Sequence, residues 1–199
     1  RQQNGDTVSY VVTRNINYTN VCTYACGFCA FSKGSTHEDL RGKPYDLALE
    51  EVARRAREAW DRGATEVCLQ GGIHPDFDGD YYIDVARAVT DAVPDIHVHG
   101  FTALEVTEGA RRLEEPLDSY LLRLKEAGLK TLPGTAAEIL DDEIRAIICS
   151  DKINTEEWLR HVGSVGQAKL GIIHICDETG AELPAGLEGE ALERALFLA

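Results

Sequence analysis

Methionine is absent from this chain of 199 residues, and lysine occurs only six times, at positions 33, 43, 125, 130, 152 and 169. No apolar run approaches the roughly 18–20 residues that a membrane-spanning helix needs. The first absence means that Arg1 is not an initiator, and the chain is expected to be a fragment of a longer one. The scarcity of basic residues leaves Lys+Arg at 20 against Asp+Glu at 34. The resulting net charge of -14 repels phosphate backbones and anionic lipid, so no nucleic-acid and no membrane partner is expected. Such an acidic, lysine-poor surface suits solubility in high salt. With no long apolar run and no signal-peptide pattern at the start, a cytoplasmic location is expected. What is present is ordinary for one soluble domain with a real core: 44% hydrophobic and 27% charged residues.

Strand-like and helix-like stretches alternate, which predicts parallel βα units. Residues 8–18, rich in β-branched and aromatic types, read as a first strand. A helix follows, with Asp46 as its N-cap, Ala48, Val52, Ala56, Ala59 and Trp60 along its apolar stripe, and Gly63 as its stop. A second strand over 64–70 and a helix over 80–93 follow, the helix facing inward with Ile83, Ala86, Thr90 and Val93 and halted by Pro94. The unit repeats as a strand over 95–101, a helix over 117–127 carrying Tyr120, Leu121 and Leu124, a brief strand over 128–132 and a helix from Ala136 to about Cys149. Residues 169–176 read as a fifth strand and 188–198 as a helix. A closed eight-unit barrel takes about 250 residues, so the expected fold is α/β, a partial (β/α) barrel incomplete at its C-terminal end.

The cysteines carry the chemistry. Six are present, but three crowd one loop, Cys22-Thr23-Tyr24-Ala25-Cys26-Gly27-Phe28-Cys29, while Cys68, Cys149 and Cys176 sit in apolar surroundings and read as small core residues. That distribution favours a reduced compartment and a metal site over a disulfide framework. Cysteines two or three residues apart suit zinc or an iron-sulfur cluster. Structural zinc usually takes four ligands, and no second cysteine pair exists here. Three thiolates from Cys22, Cys26 and Cys29 on a 4Fe-4S cluster would leave one iron open to a ligand bearing an amine and a carboxylate, such as S-adenosylmethionine. Radical chemistry from that pair needs a closed, dry site, which the C-terminal end of a barrel strand provides.

The C-x3-C-x2-C spacing with an aromatic before its last cysteine resembles the radical S-adenosylmethionine superfamily. Asn15 to Cys22, Phe28 to Gly34, Leu69 to Asp76 and Leu132 to Leu140 together resemble one subfamily, the tyrosine-using subunit of FO synthase, 5-amino-6-(D-ribitylamino)uracil L-tyrosine 4-hydroxyphenyl transferase. The likeness runs over roughly residues 10–160. It implies a radical SAM type of TIM barrel that breaks the Cα–Cβ bond of tyrosine and joins the 4-hydroxybenzyl group to the diaminouracil. It implies a 4Fe-4S cluster and S-adenosylmethionine as cofactors, L-tyrosine and 5-amino-6-(D-ribitylamino)uracil as substrates, an electron donor, and a partner subunit that completes FO synthesis. A menaquinone enzyme of the futalosine pathway shares the Thr19-Asn20 and Phe28-Cys29-Ala30-Phe31 features. A non-catalytic iron-sulfur carrier and an inactive fragment are further alternatives.

The remaining candidates read in two ways. Phe28 shields the cluster and flanks an adenine, or simply packs its loop. Gln70-Gly71-Gly72 lets backbone approach a ligand closely, and the resemblance places the methionyl amine there. The superfamily motif usually continues with an acid, whereas Ile73 follows here. Thr135-Ala136-Ala137-Glu138 has the form of a capping box, while the resemblance makes Glu138 a holder of S-adenosylmethionine or substrate. Asn15, Asn17, Tyr18 and Asn20 bring unusual polarity to a strand end and are expected to line the substrate site. His97 and His99, two apart on a strand, share a face and either handle protons above the cluster or sit as interior histidines. His74, in a loop with Asp76 and Asp78, reads in the same two ways as His97 and His99, and the two acids read as solvated surface. After about residue 162 the subfamily likeness lapses, which divides the chain into a 1–162 core and a divergent 163–199 segment holding a fifth βα unit.

Overall fold

The computed structural model describes residues 10–24, 26–27, 29, 43–135 and 137–172. Five parallel strands lie in sequence order: β1 (Thr13–Asn17), β2 (Glu66–Gln70), β3 (His97–Gly100), β4 (Leu129–Leu132) and β5 (Gly171–Ile172). Helices α1 (Leu49–Asp61), α2 (Gly79–Ala92), α3 (Ala103–Arg112), α4 (Leu117–Glu126), α5 (Asp142–Ile148) and α6 (Thr155–Gln167) fill the crossovers. Each strand pairs with the next along the chain, which is the arc of a (β/α) barrel.

Alternation along the strands decides what each face carries. Ile16, Val67, Leu69 and Val98 turn to the helices and are fully buried. They meet Val52 and Ala56 of α1, Ile83, Val85, Ala86 and Val89 of α2, Leu121 and Leu124 of α4 and Val165 of α6 in one core. The other face is polar. In register across it stand Asn15, Cys68, His99 and Thr131, with Glu66 beside His97 and Asn17 beside Gln70.

Local signals account for several helix ends. Gly63 takes φ +88 just past α1, and Asp78 accepts the amides of Asp80 and Tyr81 at 3.0 and 3.2 Å to start α2. Asn154 and Glu157 form a capping box on α6. Gly128 sits at φ +106, where a Cβ would also overlap Thr90, so both the turn and the close approach require glycine.

Several expectations are corrected. β1 is shorter than 8–18, and Tyr18 lies beyond it. Asp46 does not cap α1, whose N-cap is Ala48 with no side-chain hydrogen bond. The carboxylate of Asp46 instead receives the Thr19 hydroxyl and faces His74 Nε2 at 3.2 Å. Helix α3 is additional; its buried face includes Glu105, Glu108 and Gly109, which breaks the apolar periodicity that would have revealed it. The helix expected from Ala136 shrinks to α5 because Thr135–Glu138 forms no capping box. Glu138 sits at φ +46 and pairs with Lys152 at 2.7 Å. The surrounding loop wraps the buried Arg145, which donates to the carbonyls of Ala137, Ile139 and Ile153. Residue 162 falls inside α6, and most of the 163–199 segment lies outside the described residues. The predicted strand beyond 172 and the helix over 188–198 lie outside the described residues.

One buried group makes stability pH-dependent. His161 on α6 is 3% exposed, its Nδ1 has no hydrogen-bond partner among the described residues, and burial pushes its pKa down to about 4. The folded state keeps the ring neutral, so the unfolded chain binds the extra proton below about 6.5. Stability is therefore complete above that pH and declines as pH falls toward 4, by roughly 3 kcal/mol in all. Urea unfolding at pH 7 and pH 4.5 should show this loss, and His161→Leu should reduce it.

Candidate functional site

A cavity of about 300 Å³ opens beyond the C-terminal ends of β1, β2 and β3. One wall is the end of β1 and the segment after it, where Asn15, Asn17, Thr19 and Asn20 lead into Cys22, Cys26 and Cys29. Gln70, Gly71, Gly72 and Ile73 form a second wall, and Thr102, Leu104, Thr135, Glu138 and Lys152 complete the enclosure. Ten residues expected from the sequence thus share one cavity. Phe28 lies outside the described residues.

Two glycines let the first two walls touch. The Gly72 amide donates to the Thr19 carbonyl at 3.2 Å, and the Thr23 amide donates to the Ile73 carbonyl at 2.9 Å. A Cβ at Gly72 would overlap the Val21 carbonyl, and one at Gly71 would overlap the Tyr18 ring. The cysteine loop is fixed from the other side by the Gly27 amide, which donates to Ile148 of α5 at 2.9 Å. The Ile73 amide donates to Cys22 Sγ at 3.3 Å. Burial pushes the Cys26 thiol up to about 11, so a metal bound there must displace its proton.

The polar residues of the first wall divide by task. Asn20 is spent on structure: its Oδ1 accepts the Tyr45 amide at 2.9 Å and its Nδ2 donates to the Lys43 carbonyl at 3.2 Å. Asn17 Oδ1 is buried without a partner among the described residues, leaving an acceptor at the cavity wall. Tyr18 does not line the cavity. Its ring is fully buried against Tyr82 and Phe101, and its hydroxyl donates to Glu105. Alternation explains this, since a residue between Asn17 and Thr19 must face the helices.

His97 and His99 occupy the polar sheet face but are not among the residues lining the cavity. His97 Nε2 and His99 Nδ1 each lie 2.7 Å from Thr131 Oγ1. Burial lowers the proton affinity of His99. His74 Nδ1 accepts the Asp76 amide at 3.1 Å, which places the proton on Nε2 facing Asp46, and its ring stacks on Phe77 at 4.3 Å.

Sequence reasoning missed Glu105, Thr102 and Lys152. The signal for the first two was the Thr102-x-x-Glu105 capping-box pattern after β3, whose hydrogen bonds are both formed.

Residues 16–183 match the family model of the Radical SAM superfamily. The chain belongs to this superfamily. An FO synthase of Streptomyces avermitilis is 53% identical over 168 residues, 84% of this chain and 19% of that relative. The 5-amino-6-(D-ribitylamino)uracil–L-tyrosine 4-hydroxyphenyl transferase of Methanopyrus kandleri is 45% identical over 86% of this chain and 45% of its own length. That of Methanosarcina mazei is 49% identical over 79% and 40%. The chain therefore spans less than half the length of these relatives. Among solved structures, methylornithine synthase superposes with a TM-score of 0.61 over 80% of this chain and 42% of its own, at 15% identity. HydG, a maturase of the FeFe-hydrogenase, gives 0.57 over 83% and 36%, at 17% identity. These two similarities concern the fold.

Radical SAM proteins as a class imply a 4Fe-4S cluster and S-adenosylmethionine. Among the described residues no three His, Cys, Asp or Glu side chains are gathered as a metal-binding set. The donor chemistry nevertheless fits a cluster: three thiols on one cavity wall, one of them facing a backbone amide.

The Gly72 contact is testable without any cofactor. Gly72→Ala should lower unfolding free energy by about 2–3 kcal/mol, because a backbone carbonyl blocks the new methyl. Gly134→Ala, with nothing within 4 Å of its Cβ position, should stay within about 0.5 kcal/mol of the parent in the same urea titration.

Proposed function

We propose that the chain belongs to a radical S-adenosylmethionine transferase that joins the 4-hydroxybenzyl group of L-tyrosine to 5-amino-6-(D-ribitylamino)uracil, in the synthesis of a deazaflavin coenzyme. What carries the reading is the 45–49% identity to two transferases of that name in a chain whose three loop cysteines line one cavity. Cytoplasmic location, an external electron donor and a partner subunit for the rest of FO synthesis belong to the same proposal. Among the described residues no helix is long and apolar enough to cross a membrane.

In this reading Cys22, Cys26 and Cys29 hold the cluster, and Gln70, Gly71, Gly72 and Glu138 receive S-adenosylmethionine. Bound together, these two cofactors supply hydrogen-atom abstraction. The protein's own work is to hold and enclose. Cys26 gives up its proton on binding metal, and the Ile73 amide, donating to Cys22 Sγ, holds that side chain in place. Ile73, 2% exposed, and Leu104, 5% exposed, keep water from that wall. Asn17 Oδ1 offers an acceptor to a substrate N–H or O–H. Glu138 and Lys152, paired at 2.7 Å, present both signs of charge to a zwitterionic amino acid. His97 and His99 lie farther along the same sheet face as proton-handling or orienting groups.

The test is anaerobic reconstitution with iron and sulfide, dithionite reduction, and electron paramagnetic resonance with and without S-adenosylmethionine. The spectrum should change on adding S-adenosylmethionine, tyrosine should increase release of 5′-deoxyadenosine, and Cys26→Ala should abolish both. An unchanged spectrum would sink the cofactor assignment, and release indifferent to tyrosine would sink the substrate.

A further inference from the structure

Glu105 is fully buried, and its carboxylate takes three donors from three successive strand ends. Oε1 accepts the Tyr18 hydroxyl, from the segment after β1, and the Gly71 amide at 2.9 Å, from the end of β2. Oε2 accepts the Thr102 amide at 2.6 Å, from the end of β3. A capping box on α3 needs only the last of these. The other two have no role in the helix. Among the described residues no cationic side chain forms an ion pair with Glu105. Burial raises its proton affinity and the three donors oppose that rise. A side chain so costly to bury sits directly behind two residues, Gly71 and Thr102, that line the cavity.

We propose that Glu105 is the positioning residue of the ligand site: its carboxylate sets where the Gly71 and Thr102 backbone stands against whatever fills the cavity. The ligand part of this inference rests on S-adenosylmethionine binding there. Gly71 has no side chain to anchor it, and the Tyr18 ring closes the space on one side of it, so its placement depends on backbone hydrogen bonds. Only a carboxylate suits all three donors, because both its oxygens accept. Glutamine has nearly the same shape, but one terminal atom becomes an NH2 group. Whichever way the amide turns, that NH2 meets an N–H or O–H donor. Aspartate keeps the charge and falls one methylene short.

The experiment compares the parent chain with Glu105→Gln and Tyr18→Phe, the latter keeping the ring among Tyr82 and Phe101. Hydrogen–deuterium exchange of the peptide spanning residues 70–73 reads the positioning without any cofactor. Titration of S-adenosylmethionine into the reduced, reconstituted protein, followed by paramagnetic resonance, reads its consequence. Glu105→Gln should exchange at Gly71 at least tenfold faster and need at least tenfold more S-adenosylmethionine, with iron and sulfide content unchanged. Tyr18→Phe should move both readouts in the same direction by a smaller factor. A merely structural role predicts lower melting temperature and cluster content with the same titration midpoint, and that result overturns the proposal. Unchanged exchange at Gly71 in whichever variant folds also overturns it. If the parent shows no response to S-adenosylmethionine while Glu105→Gln still accelerates exchange, the cofactor reading falls and the positioning role stands.

Discussion

The site depends on one close approach. The backbone at Gly72 lies against the Val21 carbonyl with no room for a side chain, and two hydrogen bonds stitch the segment 71–73, just past β2, to residues 19–23. That contact brings the end of β2 to the cysteine loop. The remaining walls are arranged around it: α5 grips Gly27 from one side, and Glu105 holds Gly71 from beneath. A loop carrying three thiols would otherwise have little reason to stay put, because short polar loops gain almost no stability from apolar burial.

Buried charge follows one rule throughout the molecule. Arg145 is 3% exposed and gathers backbone carbonyls, so that a loop folds around a cation. Glu105 does the reverse with donors, gathering strand ends around an anion. His161 has a ring nitrogen with no partner among the described residues and stays neutral instead. In each case desolvation sets the demand, and the available partners decide whether charge survives.

The fold was legible where one period ruled a segment. β2, α2, α4 and β4 lie close to where alternation and the apolar stripes place them, and Gly63 stops α1 through a positive φ. It was not legible where polar side chains turn inward. Helix α3 hides because Glu105 and Glu108 occupy its buried face, and Thr135–Glu138 mimics a helix start while Glu138 is drawn to Lys152 instead. Cys22, Cys26, Cys29, Gly71 and Gly72, singled out by their spacing, line one cavity. Tyr18 misled because its neighbours are polar, although strand alternation already sends it to the opposite face. Glu105 escaped notice because its partners lie 3, 34 and 87 positions away, and no local pattern encodes such distances.

The pair on β3 has a consequence of its own. His97 and His99 both meet the Thr131 hydroxyl, which owns a single proton to give. It can therefore donate to one ring only, and at least one imidazole must present an N–H toward it. The two tautomers are consequently not independent, since a change of proton position on one ring reorients the shared hydroxyl and alters what the other must do. Two side chains that look equivalent along the strand are thus tied into a single asymmetric unit by a threonine from β4.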